Sequence, residues 1–249
     1  MDEDNVLDFN FWPSFADMML ALVFVIIVVF VGAFAVRVEP EGKLIPPKVE
    51  KAQSETIAAL DSRCLPVALH GQGIPRAAGV DTVRYFRSRN SAADEYEIAV
   101  SDEAMAQTFT FSESLLFPEG VAAIRRDGRE ILGELAVTLK NCVERHSEET
   151  ARIRSIAIRG HACTKGTDET NLDLAGERAK AVYRLFKANG VDPAQVVMSA
   201  ASYGEWVPAK RQETDSRYTL DRLNHDNQTD AMRKLNRRVE IRLEYQLVD

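Results

Sequence analysis

The stretch Asn171-Leu172-Asp173-Leu174-Ala175-Gly176-Glu177-Arg178-Ala179 lies near the start of a helix that the sequence delimits at both ends. Asn171, or a residue near it, is predicted to cap this helix, and Asn189-Gly190 to end it, because glycine is the usual residue after a helix. Residues around the helix alternate as strands do, over 153–159, 196–203 and 236–245. Strands interleaved with two long helices predict a sheet with helices on one face.

The region before this helix adds further elements to the predicted domain. Residues 96–100 and 107–111 alternate and are predicted to be strands. A second long helix is predicted to open at Pro118-Glu119-Gly120, because proline suits the first helical position, and to end near Arg145. A short helix is indicated over 48–63, whereas residues 64–94, rich in glycine and arginine, predict no regular element.

The bulk composition limits the class of function. A length of 249 residues is enough for one membrane span and a water-soluble domain with its own core. The net charge of −7 argues against a general nucleic-acid-binding protein, so no nucleic-acid partner is predicted. Cys64, Cys142 and Cys163 form no CxxC pattern, so we predict no metal site and no cofactor. In an oxidising compartment two of these cysteines could pair, and the sequence leaves open which two.

An apolar run predicts a transmembrane helix over residues 11–37, after an acidic tail over 1–10. Met18–Val36 is a stretch of 19 uncharged residues. As a helix it would extend about 28 Å, which matches one bilayer core. A cleaved signal peptide is the alternative, but it requires a basic first region and a small-residue cleavage site. The tail has no lysine or arginine, so we predict a retained anchor.

Asp17 is the single charge within this apolar run. The residues before it are Phe11-Trp12-Pro13-Ser14-Phe15-Ala16, and the next charge after it is Arg37. A carboxylate inside a membrane helix costs about 2.5–3.5 kcal/mol, and such residues usually face a partner or a water path. The alternative is a charge at the helix start that favours the helix dipole. Because aromatic residues typical of the membrane interface precede it, we predict that Asp17 lies inside the interface.

Residues 107–245 resemble the OmpA-like peptidoglycan-binding fold. The resemblance is carried by Phe109-Thr110-Phe111 with 116–120, by Ile158-Arg159-Gly160-His161, by the stretch 171–179, and by Asn236-Arg237-Arg238-Val239-Glu240-Ile241. It implies an α+β OmpA-like domain over 95–249, with a mixed sheet and helices on one face, that binds peptidoglycan. In this family an arginine and an aspartate clamp the zwitterionic end of diaminopimelate, since such a group needs a cation for its carboxylate and an anion for its ammonium.

The resemblance assigns candidate binding residues one by one. Arg178 falls on the family arginine and Asn171 on the family asparagine, with Leu174 between them. Cys163 stands where the family aspartate is expected, after Gly160-His161-Ala162. Asp168 or Glu169 in the same loop could substitute, or the domain could bind the wall weakly or differently. The alternative for Arg178 is a solvated helix residue that pairs with Glu177 or Asp173.

A second resemblance concerns the membrane segment. Phe15-Ala16-Asp17-Met18-Met19 resembles the start of the single span of MotB-type stator subunits. It implies that Asp17 carries H⁺, and that the chain forms a homodimer inside a ring of multi-span A-type motor subunits. It also implies a bacterial inner-membrane protein with a cytoplasmic N-terminus, a periplasmic linker and dimerisation region over 38–94, and a periplasmic C-terminal domain. Arg37, Lys43 and Lys48 after the span favour the opposite orientation when counted alone.

The type of motor is indicated by finer features. The short acidic tail, the long segment 205–235 and Trp12-Pro13-Ser14-Phe15-Ala16-Asp17 resemble the ZorB subunits of Zorya anti-phage defence systems. A flagellar MotB-type stator and a passive anchor between membrane and wall are the alternatives. The four histidines are scattered, with no nucleophile–base pair and no phosphate loop, so we predict that the chain is not an enzyme.

Overall fold

A computed structural model describes residues 17–28, 45–67, 82–91, 95–144, 151–211 and 217–247. The chain divides into two compact units, Met1–Gly42 and Lys43–Asp249. In the first unit, the described residues 17–28, which include Asp17, are helical and are called α1. Among the described residues, no helix has the length and apolarity that a membrane crossing requires. The tail 1–10 and the remainder of the predicted span 11–37 lie outside the described residues.

The second unit is built on a mixed sheet of seven described strands in the order β1-β2-β3-β4-β7-β5-β6. Strands β5 and β6 are parallel, and the other neighbouring pairs are antiparallel. The strands are β1 Cys64–Pro66, β2 Thr82–Ser88, β3 Ile98–Asp102, β4 Ala106–Ser112, β5 Arg152–His161, β6 Val197–Ser202 and β7 Arg238–Gln246.

Six helices accompany the sheet in the described part of this unit. They are α2 Pro47–Asp61, α3 Glu113–Leu116, α4 Arg126–Glu144, α5 Asp168–Ala188, α6 Leu220–His225 and α7 Asp230–Asn236. Side chains of α2, α4 and α5 join one buried apolar cluster with the inward residues of β4, β5 and β7. The predicted α+β domain with a mixed sheet is therefore confirmed.

Alternation along the strands decides which face of the sheet is covered. In β4, Phe109 and Phe111 are fully buried while Thr108 and Thr110 are partly exposed. Pairing in register places Phe109 beside Ile241 of β7, and Ile241 beside Ile158 of β5. Because successive strand residues point to opposite faces, this row forms the apolar face and the threonines belong to the polar one.

The start of the long helix differs from the prediction. The helix α4 begins at Arg126, not at Pro118, so that prediction was wrong. The backbone carbonyls of Pro118 and Val121 accept hydrogen bonds from Arg178, at 3.4 and 3.2 Å. Gly120 has a φ of 71°, in the left-handed region that glycine adopts readily. Segment 117–125 is therefore a loop tied to α5.

Two other elements also differ from the sequence-based expectation. Strand β2 lies inside the segment for which no regular element was predicted, and it pairs with both β1 and β3. The helix α5 begins before Asn171, because Thr167 is its cap. The side chains of Thr167 and Thr170 each accept a hydrogen bond from the other residue's backbone N–H, which forms a reciprocal capping box.

Candidate functional site

The candidate site lies where the carboxyl ends of β5 and β6 meet the first turns of α5. Gly160 allows this approach, because a Cβ at that position would lie 1.9 Å from the carbonyl oxygen of Ala175. Beyond the strands, the backbone pairing continues from Ala162 N to Gly204 O at 2.7 Å. The loop 162–167 is thereby held between α5 and the segment that follows β6.

Four of the predicted site residues share one side of α5. Asp168, Asn171, Leu174 and Arg178 recur at intervals of three or four, which brings residues of a helix onto a common face. Asn171 and Arg178 are buried, Leu174 is half-buried and Asp168 is exposed. The structure therefore brings these predicted residues to one edge of the loop 162–167.

Arg178 is held inside the site and is not the solvated residue of the alternative interpretation. Its side chain is 3% exposed and forms an ion pair with Glu113. The guanidinium also lies 5.2 Å from the ring centroid of Phe117. Glu177, a partner in that alternative, pairs with Lys180 instead. Direct contact between Arg178 and a ligand stays a prediction.

Glu113 joins Arg178 to a second arginine. Its other carboxylate oxygen accepts a hydrogen bond from Nε of Arg237 at 2.5 Å. Nη1 of Arg237 donates to Sγ of Cys163 at 3.5 Å. Two guanidinium groups thus share one carboxylate, which leaves an excess positive charge at this end of the site. Burial opposes the charge of Arg237, but Cys163 and Glu113 outweigh it and raise the pKa of the guanidinium.

Cys163 occupies the position where the resemblance requires an aspartate. Its side chain is 2% exposed and forms no disulfide. A cysteine sulfur is only a weak hydrogen-bond acceptor compared with a carboxylate. The site therefore lacks a carboxylate at this position, as the sequence indicated.

Two carboxylates approach the site from its other side. Nδ2 of Asn171 donates to Oε2 of Glu205 at 2.5 Å. Nε1 of Trp206 donates to Oδ1 of Asp168 at 3.0 Å. Glu205 is 9% exposed, whereas Trp206 is 38% exposed. Asp168, predicted to substitute for the missing aspartate, is thus engaged by an indole, and Glu169 beside it is exposed.

An exposed ion pair joins two loops beside the site. Nζ of Lys165 lies 2.9 Å from Oε1 of Glu119 and so connects the loop 162–167 to the loop 117–125. This hydrogen bond raises the pKa of Lys165 and lowers that of Glu119. Both side chains are largely solvated, so the pair contributes little to stability. It can open for a ligand at little cost.

Sequence reasoning missed Glu113, Glu205 and Arg237 as site residues. The signal for Glu205 was available, because the carboxyl ends of neighbouring parallel strands lie at the same edge of a sheet, and Glu205 follows β6 as Cys163 follows β5. Glu113 and Arg237 had no such signal, since Glu113 opens α3 directly after β4 and Arg237 directly precedes β7, and the sequence did not give the pairing of these two antiparallel strands. No group of acidic, histidine or cysteine side chains in the described residues has the geometry of a metal site.

Comparison with known proteins identifies the fold of this region. Residues 116–220 match the profile described as the OmpA family, a range that includes Cys163, Arg178 and Glu205 but not Glu113 or Arg237. Residues 116–220 of the described α+β domain are therefore OmpA-like. The chain is 29% identical over 169 residues to the peptidoglycan-associated lipoprotein of Pseudomonas aeruginosa, covering 66% of this chain and 78% of that protein.

Two solved structures show a partial likeness to this chain. The periplasmic domain of Helicobacter pylori MotB has a TM-score of 0.43 and 20% identity, covering 63% of this chain and 87% of that one. The cell wall anchor of the T6SS from Pseudomonas aeruginosa has a TM-score of 0.42 and 20% identity, covering 60% and 89%.

Proposed function

We propose that this chain is the peptidoglycan-anchored B subunit of a proton-driven motor in the bacterial inner membrane. The observation that best supports the peptidoglycan-anchoring role is the OmpA family match, because it spans the loop 162–167 and the residues of α5 that face this loop. The curated relative is named a peptidoglycan-associated lipoprotein, which agrees with a periplasmic, wall-binding domain.

The chemistry of the site suits the end of a peptide stem. The excess positive charge of Arg178 and Arg237 over Glu113 would attract the carboxylate of a zwitterionic diamino acid. The half-buried Leu174 and the exposed indole of Trp206 provide apolar surface next to that charge. A peptidoglycan stem offers both a carboxylate and alkyl carbons, so it fits this arrangement.

Co-sedimentation with isolated sacculi tests the anchoring role. The full-length chain in detergent micelles should sediment with sacculi, and Arg237→Ala should weaken this binding about tenfold or more by removing a charged hydrogen-bond donor. Arg126→Ala is the matched control, because this arginine lies on α4 with a side chain that is 89% exposed. If the wild-type chain stays in the supernatant, the anchoring role is wrong.

Asp17 is proposed to carry the proton. It lies on α1, whose large apolar side chains are exposed in the single chain, Leu20 by 73% and Phe24 by 66%. An exposed apolar surface of this kind needs lipid or partner helices around it. Two copies inside a ring of A-type subunits would provide that environment. Protonation would let the neutral carboxyl pass an apolar surface, because burying a neutral acid costs far less than burying a carboxylate.

The machine is proposed to be a Zorya-type anti-phage system, on the resemblance of residues 12–17 to ZorB subunits. Cells that express this chain with its A-type partner and the remaining components should resist phage, and Asp17→Asn should abolish resistance while assembly persists. Full protection by Asp17→Asn would favour the passive anchor. Restored swimming of a stator-deficient strain, without phage resistance, would favour the flagellar alternative.

A further inference from the structure

Glu205 is a nearly buried carboxylate with no cation beside it. It is 9% exposed, and its carboxylate accepts a hydrogen bond from the neutral amide of Asn171 at 2.5 Å. Within the described ranges, no lysine, arginine or histidine nitrogen forms an ion pair with it. A buried charge without a counterion is costly, so such groups are normally paired with a cation or hold one as a ligand.

The position of Glu205 relates it directly to Cys163. The backbone N–H of Ala162 donates to the carbonyl of Gly204, so residues 163 and 205 are the next positions along two adjacent chains. Asn171 links both sides: its Nδ2 bonds Glu205, and its Oδ1 lies near Gly166 at the end of the loop. The carboxylate that position 163 lacks is therefore present one strand away.

The other acids of the site are less suited to a cationic ligand. Glu113 already receives two arginines. Glu119 is 82% exposed and paired with Lys165. Asp168 is exposed and accepts from Trp206. Only Glu205, among the described acids of this site, combines burial with the lack of a cation.

From these contacts we propose that Glu205 binds the ammonium group of the ligand, in place of a carboxylate at position 163. This inference rests on the proposed wall-binding function and specifies it further. The site then recognises a stem residue with both a free amine and a free carboxylate, with Glu205 on the amine and the cluster of Arg178 and Arg237 on the carboxylate. Specificity for the amine is carried by the segment after β6 and not by the loop after β5.

Calorimetric titration of the full-length chain in detergent micelles tests this assignment. The first probe is a muramyl tripeptide ending in meso-diaminopimelate, and the second is the same tripeptide with the side-chain amine acetylated. Acetylation should weaken binding to the wild-type chain about tenfold or more, because a charged hydrogen bond is lost. Glu205→Gln should bind the first probe about tenfold more weakly, and acetylation should then have no further effect.

Two further variants separate a ligand contact from a structural role. Gln at position 205 keeps an oxygen for Asn171, and a thermal melt within a few degrees of the wild type shows that the fold is kept. Adding Cys163→Asp to Glu205→Gln should restore dependence on the amine, since it returns a carboxylate to the loop. Glu144→Gln, which changes an exposed acid at the end of α4 and away from the site, should behave as the wild type.

The outcomes distinguish this inference from the proposed function. If the wild-type chain binds neither probe nor sacculi, both are overturned. If it binds both probes equally, or if Glu205→Gln keeps the wild-type preference for the free amine, the role of Glu205 is overturned and wall binding stands. A loss of amine dependence in Glu205→Gln that Cys163→Asp reverses supports the assignment.

Discussion

At the scale of single residues, Glu113 shows how one buried acid can hold a site together. It is largely buried and accepts from Arg178 on one oxygen and from Arg237 on the other. Arg178 in turn fixes the loop 117–125 through two carbonyls. The arginine that the resemblance assigns to ligand binding is therefore also a structural residue, and a loss of binding in its variants has two explanations.

Replacing Arg178 should reveal this structural role. Arg178→Ala leaves Glu113 with one partner and empties the space above Phe117, so we expect the free energy of unfolding to fall by about 3 kcal/mol. Urea unfolding of the full-length chain in micelles, followed by tryptophan fluorescence, measures the change. The exposed Arg126→Ala serves as control and should shift stability by less than about 0.5 kcal/mol. Equal stability of the two variants would contradict the role of the Glu113 bridge.

His161 gives the domain a defined pH dependence. Its ring is 2% exposed, with Nδ1 3.2 Å from the carbonyl oxygen of Val207 and Nε2 3.2 Å from Oε2 of Glu240. Burial, and then the charge of Arg238, lower the pKa of the imidazole, although Glu240 acts in the opposite direction. Below pH 6.5 the unfolded chain therefore binds a proton that the folded chain takes up only at lower pH.

Stability should accordingly fall as the pH decreases from about 6.5. The stabilising effect of neutral His161 is present above the unfolded pKa and is lost toward the lowered folded pKa. Urea midpoints at pH 7.5, 6.5 and 5.5 measure it. His161→Gln cannot bind this proton, so its midpoint should vary less over the same window. A pH profile identical to that of the wild type would assign the effect to other groups.

At the scale of secondary-structure elements, a close backbone contact between β5 and α5 positions the site. Glycine is the only residue type that fits at position 160, because any Cβ would overlap the backbone of Ala175. Backbone of a long helix cannot move aside cheaply. The loop that carries Cys163 starts two residues later, so the geometry of the site depends on this one approach.

Gly160→Ala should therefore destabilise the domain by at least about 3 kcal/mol, beyond the usual cost of overpacking. Gly133→Ala provides a matched control, since its nearest neighbour would be Oδ1 of Asn189 at 3.9 Å and it lies inside α4. Alanine in a helix interior should stabilise by up to about 1 kcal/mol. Thermal melts of both variants decide this, and a harmless Gly160→Ala would mean that α5 does not pack as described.

The elements also show what the sequence can and cannot predict. Alternation in β4, β5 and β7 is strong because each strand has one apolar and one polar face, so these strands were predicted within a few residues. The start of α4 was not predicted correctly. Pro118 is a helix-start signal, but a hydrogen bond from Arg178 to its carbonyl holds this segment as a loop. Glu113 and its two partners, Arg178 and Arg237, lie in three separate parts of the chain, and a local pattern cannot bring them together.

At the scale of the whole molecule, the folded unit includes the helix that follows residue 45. The unit Lys43–Asp249 contains α2, whose Val49 and Leu60 are fully buried. Gln53 donates to the carbonyls of Glu103 and Ala106, at 2.8 and 3.0 Å. Apolar packing and specific polar contacts thus hold α2 on the domain, although it lies in the segment predicted as a linker.

The division into two units separates the proposed tasks of the chain. The candidate wall site lies entirely within Lys43–Asp249, and Asp17 lies in Met1–Gly42. Asp17→Asn keeps the size of the side chain and removes its titratable proton, so it should leave sacculus binding within about twofold of the wild type while abolishing phage resistance. Arg237→Ala should lose both sacculus binding and phage resistance, because a subunit that is not anchored cannot stay fixed against torque.

This asymmetric pattern distinguishes a motor subunit from a passive anchor. In a passive anchor Asp17 has no task, so Asp17→Asn would keep both wall binding and cellular activity, and only Arg237→Ala would be impaired. Sacculus co-sedimentation and phage plating of the same two variants, with Arg126→Ala as control, measure both properties. Loss of sacculus binding in Asp17→Asn would contradict the division of tasks, because a neutral isosteric change in the first unit should not reach a site built wholly within the second.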